Sequence, residues 1–152
     1  MTSQRAMTRY LRFHAVRASL AILLAVAFLL MACGPFQDRD AAERTVDRFH
    51  QLFNEASYSV IYYEAEARFR RSTTVPDFDQ LLLAVRRSLG TFKQARRMSF
   101  RSDAGPDGTV ATLVYESDFT EGKATEEFRY ATREGRAYLI TYNISSPLLK
   151  VR

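Results

Sequence analysis

The chain has a single cysteine, no tryptophan and two histidines in 152 residues. One cysteine allows no internal disulfide, so a small disulfide-stapled scaffold is excluded. Beyond residue 33 one histidine, His50, and no cysteine remain, which leaves no His/Cys metal site and no Cys-His nucleophilic pair there. Serines are present, but no Ser-His-Asp order and no G-x-S-x-G elbow accompanies them. Lysine is scarce: Lys93, Lys123 and Lys150 are the only lysines among 22 basic residues, so the positive charge is nearly all arginine. No internal repeat or low-complexity tract occurs. The chain holds one long apolar run, and it lies near the N-terminus.

That run covers residues 18–32, with Ser19 its one polar member. As a helix it would reach about 22 Å, short of a hydrocarbon core of about 30 Å. Residues 1–17 before it carry Arg5, Arg9, Arg12 and Arg17 and no acidic side chain. A basic segment, a short apolar segment and a small residue at the break are the parts of a secretory signal peptide. The arginines would hold the N-terminus on the cytoplasmic side. A retained signal anchor, or a core helix ending in a buried thiol, are the alternatives.

The run ends in Leu30-Met31-Ala32-Cys33, which resembles the bacterial lipobox. The resemblance implies cleavage between Ala32 and Cys33, a diacylglyceryl group on the Cys33 thiol and, in many bacteria, acylation of the new amine. Two or more acyl chains anchor stably where one binds only marginally. Gly34 follows the cysteine in place of the Asp that retains lipoproteins at the inner membrane in enterobacteria-like systems. In an envelope with two membranes this implies the outer one, with the domain facing the periplasm.

Removal of residues 1–32 leaves 120, one ordinary domain with a modest core. It also removes four arginines, so the net charge falls from +5 to +1. The balance then offers nothing to a nucleic acid, and none is expected as a partner. The expected organisation is 1–32 signal peptide, 33–39 lipidated cysteine and short tether, 40–146 domain, and 147–152 tail. Fully extended, the six tether residues would reach about 20 Å, keeping the domain close to the membrane.

Asp40 and Glu43 resemble a capping box, and Ala42, Val46, Phe49 and Phe53 recur at helical spacing, predicting a helix over 41–55. Tyr58, Ile61, Tyr62, Ala65 and Phe69 predict a second over 57–70. Thr74 is placed to cap a third, with Pro76 in its first turn and Gly90 at its end; Phe78, Leu81, Leu82, Val85 and Leu89 are its apolar face. After Gly90 the period becomes two. Strands are predicted over 92–101 (Phe92, Met98 and Phe100 on one face) and 109–119 (Ala111, Leu113, Tyr115, Phe119). Two more follow over 124–132 (Phe128, Tyr130) and 137–145 (Tyr138, Ile140, Tyr142, Ile144). "DAGPDG" (103–108) supplies turn chemistry. Helices followed by a four-stranded meander predict an α+β fold, helices packed on one face of an antiparallel sheet.

This order, the "SLGTFKQ" step from helix to strand and the closing "EGRAYLITYNIS" resemble the nuclear transport factor 2-like (SnoaL-like, cystatin-like) superfamily, over about residues 40–146. Many members carry Trp where this chain has Tyr138. The resemblance implies a curved sheet that, with the helices, encloses a conical pocket used for small-molecule binding, catalysis or protein contact. Fold alone does not choose among these.

Tyr62, Tyr115, Tyr130 and Tyr142 are the tyrosines placed to line such a pocket. Glu126 shares the parity of Phe128 and is the carboxylate best placed to join them; Glu116 and Asp118 alternate toward water. His50, next to Phe49, reads as a boundary histidine. Arg70-Arg71, Arg86-Arg87 and Arg96-Arg97 suit either solvated ion pairs or anionic headgroups. Asn143-Ile144-Ser145 matches a glycosylation sequon by chance.

The expected function is a membrane-anchored envelope lipoprotein with a non-catalytic domain that binds an envelope protein or a small apolar ligand, with no cofactor and no metal. The alternative is a cofactor-free isomerase- or dehydratase-like enzyme using a buried carboxylate and a tyrosine, which requires a carboxyl with a raised pKa. A pure interaction module would instead show an apolar patch on the outer sheet face, around Val110, Thr112 and Val114.

Overall fold

The change of period after Gly90 divides the chain into helices and then strands. A computed structural model describes residues 34–106 and 108–149. Among these the elements are α1 (Gly34–Asn54), α2 (Tyr58–Glu64), α3 (Ala67–Ser72), α4 (Val75–Leu89), β1 (Phe92–Gly105), β2 (Gly108–Phe119), β3 (Lys123–Arg133) and β4 (Arg136–Ser145). The strands form one open antiparallel sheet in the order β1-β2-β3-β4, an α+β fold. Ala32 and Cys33, with the rest of the signal and cleavage region, lie outside the described residues, as do Asp107 and residues 150–152.

Helix and sheet meet over an aromatic core. Phe49 of α1 sets its ring edge-on to Phe128 of β3 at 5.1 Å, and Phe69 of α3 meets Phe78 of α4 likewise. β2 turns Ala111, Leu113, Tyr115, Ser117 and Phe119 inward, and β3 turns Ala124, Glu126, Phe128 and Tyr130. Among the described residues no helix is long and apolar enough to cross a membrane.

α1 begins at Gly34, well before the expected start at 41, so Asp40 is an interior residue and not a cap. Pro35 sits in the first turn, where a missing N–H costs little, and nothing between it and Asp40 breaks a helix. Residues 34–39, expected as a short tether, are helical and rise about 9 Å. Glu43 pairs with Arg97 of β1 in place of closing a capping box.

The helix expected over 57–70 is two helices. Ala65 and Glu66 are extended; the Glu66 N–H donates to the Leu139 carbonyl of β4, and its carboxylate accepts from the Arg68 N–H as the cap of α3. Neither Gly nor Pro marks the break; a partner 73 positions away along the chain makes it. α4 begins as the sequence predicts: the Thr74 hydroxyl accepts from the Asp77 N–H, with Pro76 in the first turn. Thr74→Ala is expected to cost about 1 kcal/mol, readable as a lower urea midpoint at unchanged m-value.

Two strands depart from simple alternation. β1 slips register between Arg97 and Ser99, and Met98 is the extra residue, 52 % exposed, not a third member of the Phe92–Phe100 face. In β4, Arg129 pairs with Thr141 and Tyr130 with Leu139, so Ile140 is extra. Leu139 and Tyr142 are thus the buried residues, whereas Tyr138, Ile140 and Ile144 are half-buried. A bulge inserts one residue and inverts the parity of everything beyond it. The outer-face residues Val110, Thr112 and Val114 are half-buried, and polar neighbours break them up. Arg101 and Arg129 flank Thr112, and Ser99 and Glu127 flank Val114.

Candidate functional site

Among the described residues, one sealed place and one open place bring polar groups from the helices and the sheet together. The sealed one joins four elements. Glu126 of β3 accepts from His50 Nε2 of α1 at 2.8 Å, from the Tyr142 hydroxyl of β4 at 2.7 Å and from the Ser117 hydroxyl of β2. All four residues are buried, and Phe92 lies flat on the His50 ring, 3.6 Å between centroids and 3° between planes.

Burial is the largest influence on the Glu126 carboxyl and pushes its pKa up. The His50 hydrogen bond and charge, then the Ser117 and Tyr142 hydroxyls, outweigh it and hold the carboxyl below the usual range. Burial, then the charge of Glu126, drives the Tyr142 hydroxyl well above the usual tyrosine value. The network is an ionised carboxylate fully supplied with donors. It is not the raised-pKa carboxyl that the enzyme alternative requires.

The open place is a cavity of about 690 Å³ lined by α1, the α2–α3 segment and the β3–β4 hairpin. α1 contributes Ala41, Arg44, Thr45, Arg48, Phe49 and Leu52, spaced by three and one, which is a single stripe of a helix. The hairpin turns through Glu134 and Gly135, both at positive φ, and so sets Arg133 directly opposite Arg136. Ile61, Leu139 and Tyr130 supply apolar lining.

The arginines differ in how they are held. Arg48 grips Glu64 with two hydrogen bonds of 2.9 and 2.6 Å, and that bond is the main reason the Glu64 carboxyl sits below its usual range. Arg70 donates to the carbonyls of Tyr63 and Ala65. Arg133 stacks over Tyr138 at 5.0 Å and lies 3.6 Å from Glu66. Arg44 and Arg136 are exposed and have no hydrogen-bond or ion-pair partner among the described residues. Tyr130 is fully buried with an unpartnered hydroxyl, which burial keeps protonated far above the usual tyrosine range.

Of the five residues singled out from sequence, Tyr130 lines this cavity, and Glu126 and Tyr142 join in the sealed network. Tyr115 is buried opposite Glu126, its ring edge-on to Phe128. Tyr62 donates to the Thr73 and Arg70 carbonyls, tying α2 to the segment that enters α4. Sequence reasoning singled out Arg70 but missed Ser117 and the other cavity arginines, Arg44, Arg48, Arg133 and Arg136. Their signals were a polar residue at an inward parity, and Arg44 and Arg48 on the same stripe as Ala41 and Phe49.

At least one member of each arginine pair has a partner in the fold. Arg70 holds the α2–α3 break, Arg86 donates to the Phe53 and Asn54 carbonyls at the end of α1, and Arg96 and Arg97 pair with Glu116 and Glu43. Asn143 of the sequon donates to Glu127. Among the described residues no three His, Cys, Asp or Glu side chains converge as a metal ion would need. Compared with known proteins, the chain matches no family model and no curated sequence at a significant level.

Proposed function

We propose that the chain is an envelope lipoprotein, anchored through lipidated Cys33 after cleavage at Ala32. Its α+β domain, of the nuclear transport factor 2-like kind, holds a small ligand without transforming it. The observation that carries the ligand-binding part is the cavity of about 690 Å³, with apolar lining from Phe49, Leu52, Ile61 and Leu139. Its volume falls in the range of small-molecule sites, about 300–1,000 Å³. The anchor rests on the order of basic segment, apolar segment and LMAC. In an envelope with two membranes, Gly34 favours the outer one.

The two parts have separate tests. Cys33→Ser is expected to abolish lipid labelling and leave the uncleaved chain; a variant that still matures as a lipoprotein would overturn the anchor. For the ligand, the membrane-extracted chain is compared by native and denaturing mass spectrometry. Added mass that survives the first and disappears in the second is expected. A bare chain from several growth conditions would shift the reading to an interaction module.

A further inference from the structure

The cavity lining holds five arginines (Arg44, Arg48, Arg70, Arg133, Arg136) against Glu64 and Glu66, a surplus of three positive charges. The whole chain without its signal region carries only +1, so the excess is gathered here. Two of the five have no partner among the described residues, and one of these, Arg136, stands directly across the ladder from Arg133. Like charges facing each other across strands are destabilising. Arg133 is partly relieved by Tyr138 and Glu66; Arg136 is not.

Arginine presents a planar fork of donors that matches a carboxylate or phosphate in two parallel hydrogen bonds. Behind these heads the lining is apolar, with Phe49, Leu52, Ile61 and Leu139. Tyr63, also in the lining, leaves its ring 67 % exposed. The residues therefore divide into a cationic set that takes an oxyanion and an apolar set that takes a hydrocarbon body.

We infer that the cavity binds an amphipathic anion, a carboxylate or phosphate head on an apolar body, with Arg44 and Arg136 engaging the head. The inference rests on the ligand-binding reading above and names the class of ligand. Such a head occurs both on free amphiphiles and on membrane phospholipids. Uncharged hydrophobes of the same size lack the group that the two free guanidinium forks require.

The test is calorimetric titration of the full lipidated chain in phosphatidylcholine nanodiscs, with empty discs subtracted. The probes are decanoate, decyl phosphate, 1-decanol and inorganic phosphate. Decanoate or decyl phosphate is expected to bind at least tenfold more tightly than decanol and than inorganic phosphate. Arg44→Gln and Arg136→Gln are each expected to weaken the anion by about tenfold, the scale of one charge-assisted hydrogen bond, and to leave decanol unchanged. Decanol binding as tightly as the anions would overturn the anionic class while sparing the ligand-binding reading. Inorganic phosphate binding as tightly as decyl phosphate would overturn the apolar body. No binding by any probe would overturn both readings. Repeating the titration in discs containing phosphatidylglycerol separates the sources. Competition assigns the head to a membrane lipid, and unchanged affinity assigns it to a free amphiphile; either supports the class.

Discussion

Replacing His50 with alanine is expected to remove about 1–3 kcal/mol of folding stability, the cost of leaving a buried carboxylate oxygen without a hydrogen-bond donor. That is an appreciable part of the 5–15 kcal/mol typical of a domain. The loss has a definite location. Glu126 Oε2 keeps the Ser117 hydroxyl but loses its only nitrogen partner, and Phe92 loses the ring it lies on. With His50 gone, burial is no longer outweighed, and the Glu126 pKa should rise. Urea unfolding at neutral pH checks the magnitude; a loss under about 1 kcal/mol would show that the pair is not what secures the carboxylate. Removing both partners together, as His50→Leu with Glu126→Met, should restore most of the loss, because an apolar replacement leaves no buried polar group stranded.

The same network sets a pH dependence. The folded Glu126 pKa lies below its unfolded value. Its contribution is therefore complete above the unfolded carboxylate value of about 4.3 and is lost as the pH falls through the folded value. The stability of the natural chain should drop on acidification below about pH 4, and Glu126→Gln should remove that component of the slope. An acid limb of equal steepness in the variant would assign the titration to other carboxylates.

Gly90→Ala is expected to cost about 3 kcal/mol, from backbone strain and overpacking together. Gly90 ends α4 at φ +80° and ψ −146°, a conformation open essentially to glycine alone. An added Cβ would also collide with the Thr120 hydroxyl and lie 3.1 Å from Glu121 Cγ. The surroundings cannot easily give way. Thr91 N–H donates to that hydroxyl at 3.0 Å, Thr120 N–H donates to the Thr91 carbonyl, and Glu121 N–H donates to the Leu89 carbonyl. The exit from α4 is thus sewn to the β2–β3 turn. Thermal unfolding followed by circular dichroism measures the loss. Thr120→Ala in the same chain should recover the collision and leave the φ strain, so a full recovery, or a loss below about 1 kcal/mol, would contradict this account.

Although its collision partner Thr120 is not local, the positive φ of Gly90 at the end of α4 is a local constraint. The Thr74 cap, Pro76 in the first turn of α4 and the inward rows of β2 and β3 are of the same kind. Each depends on residues within a few positions, so the order of elements, the fold class and most of the core are legible in the amino-acid sequence alone. The lipobox reading of Cys33 likewise rests wholly on contiguous residues. The early start of α1 was open to the same reasoning, since nothing between Gly34 and Asp40 interrupts a helix.

The rest depends on partners distant in the chain. The split between α2 and α3 is made by a carbonyl of β4, and the bulges at Met98 and Ile140 belong to the ladder between two strands. Neither leaves a trace in the period of one strand. The sealed network follows the same rule. His50 and Glu126 are 76 positions apart, and a charge that distant has no expected partner until the helix is laid on the sheet. The arginine-lined cavity gathers one stripe of α1, the α2–α3 break and the β3–β4 turn. Its charge surplus is a property of their packing. Local sterics and periodicity set the elements, and long-range hydrogen bonds, register and burial set which polar groups meet.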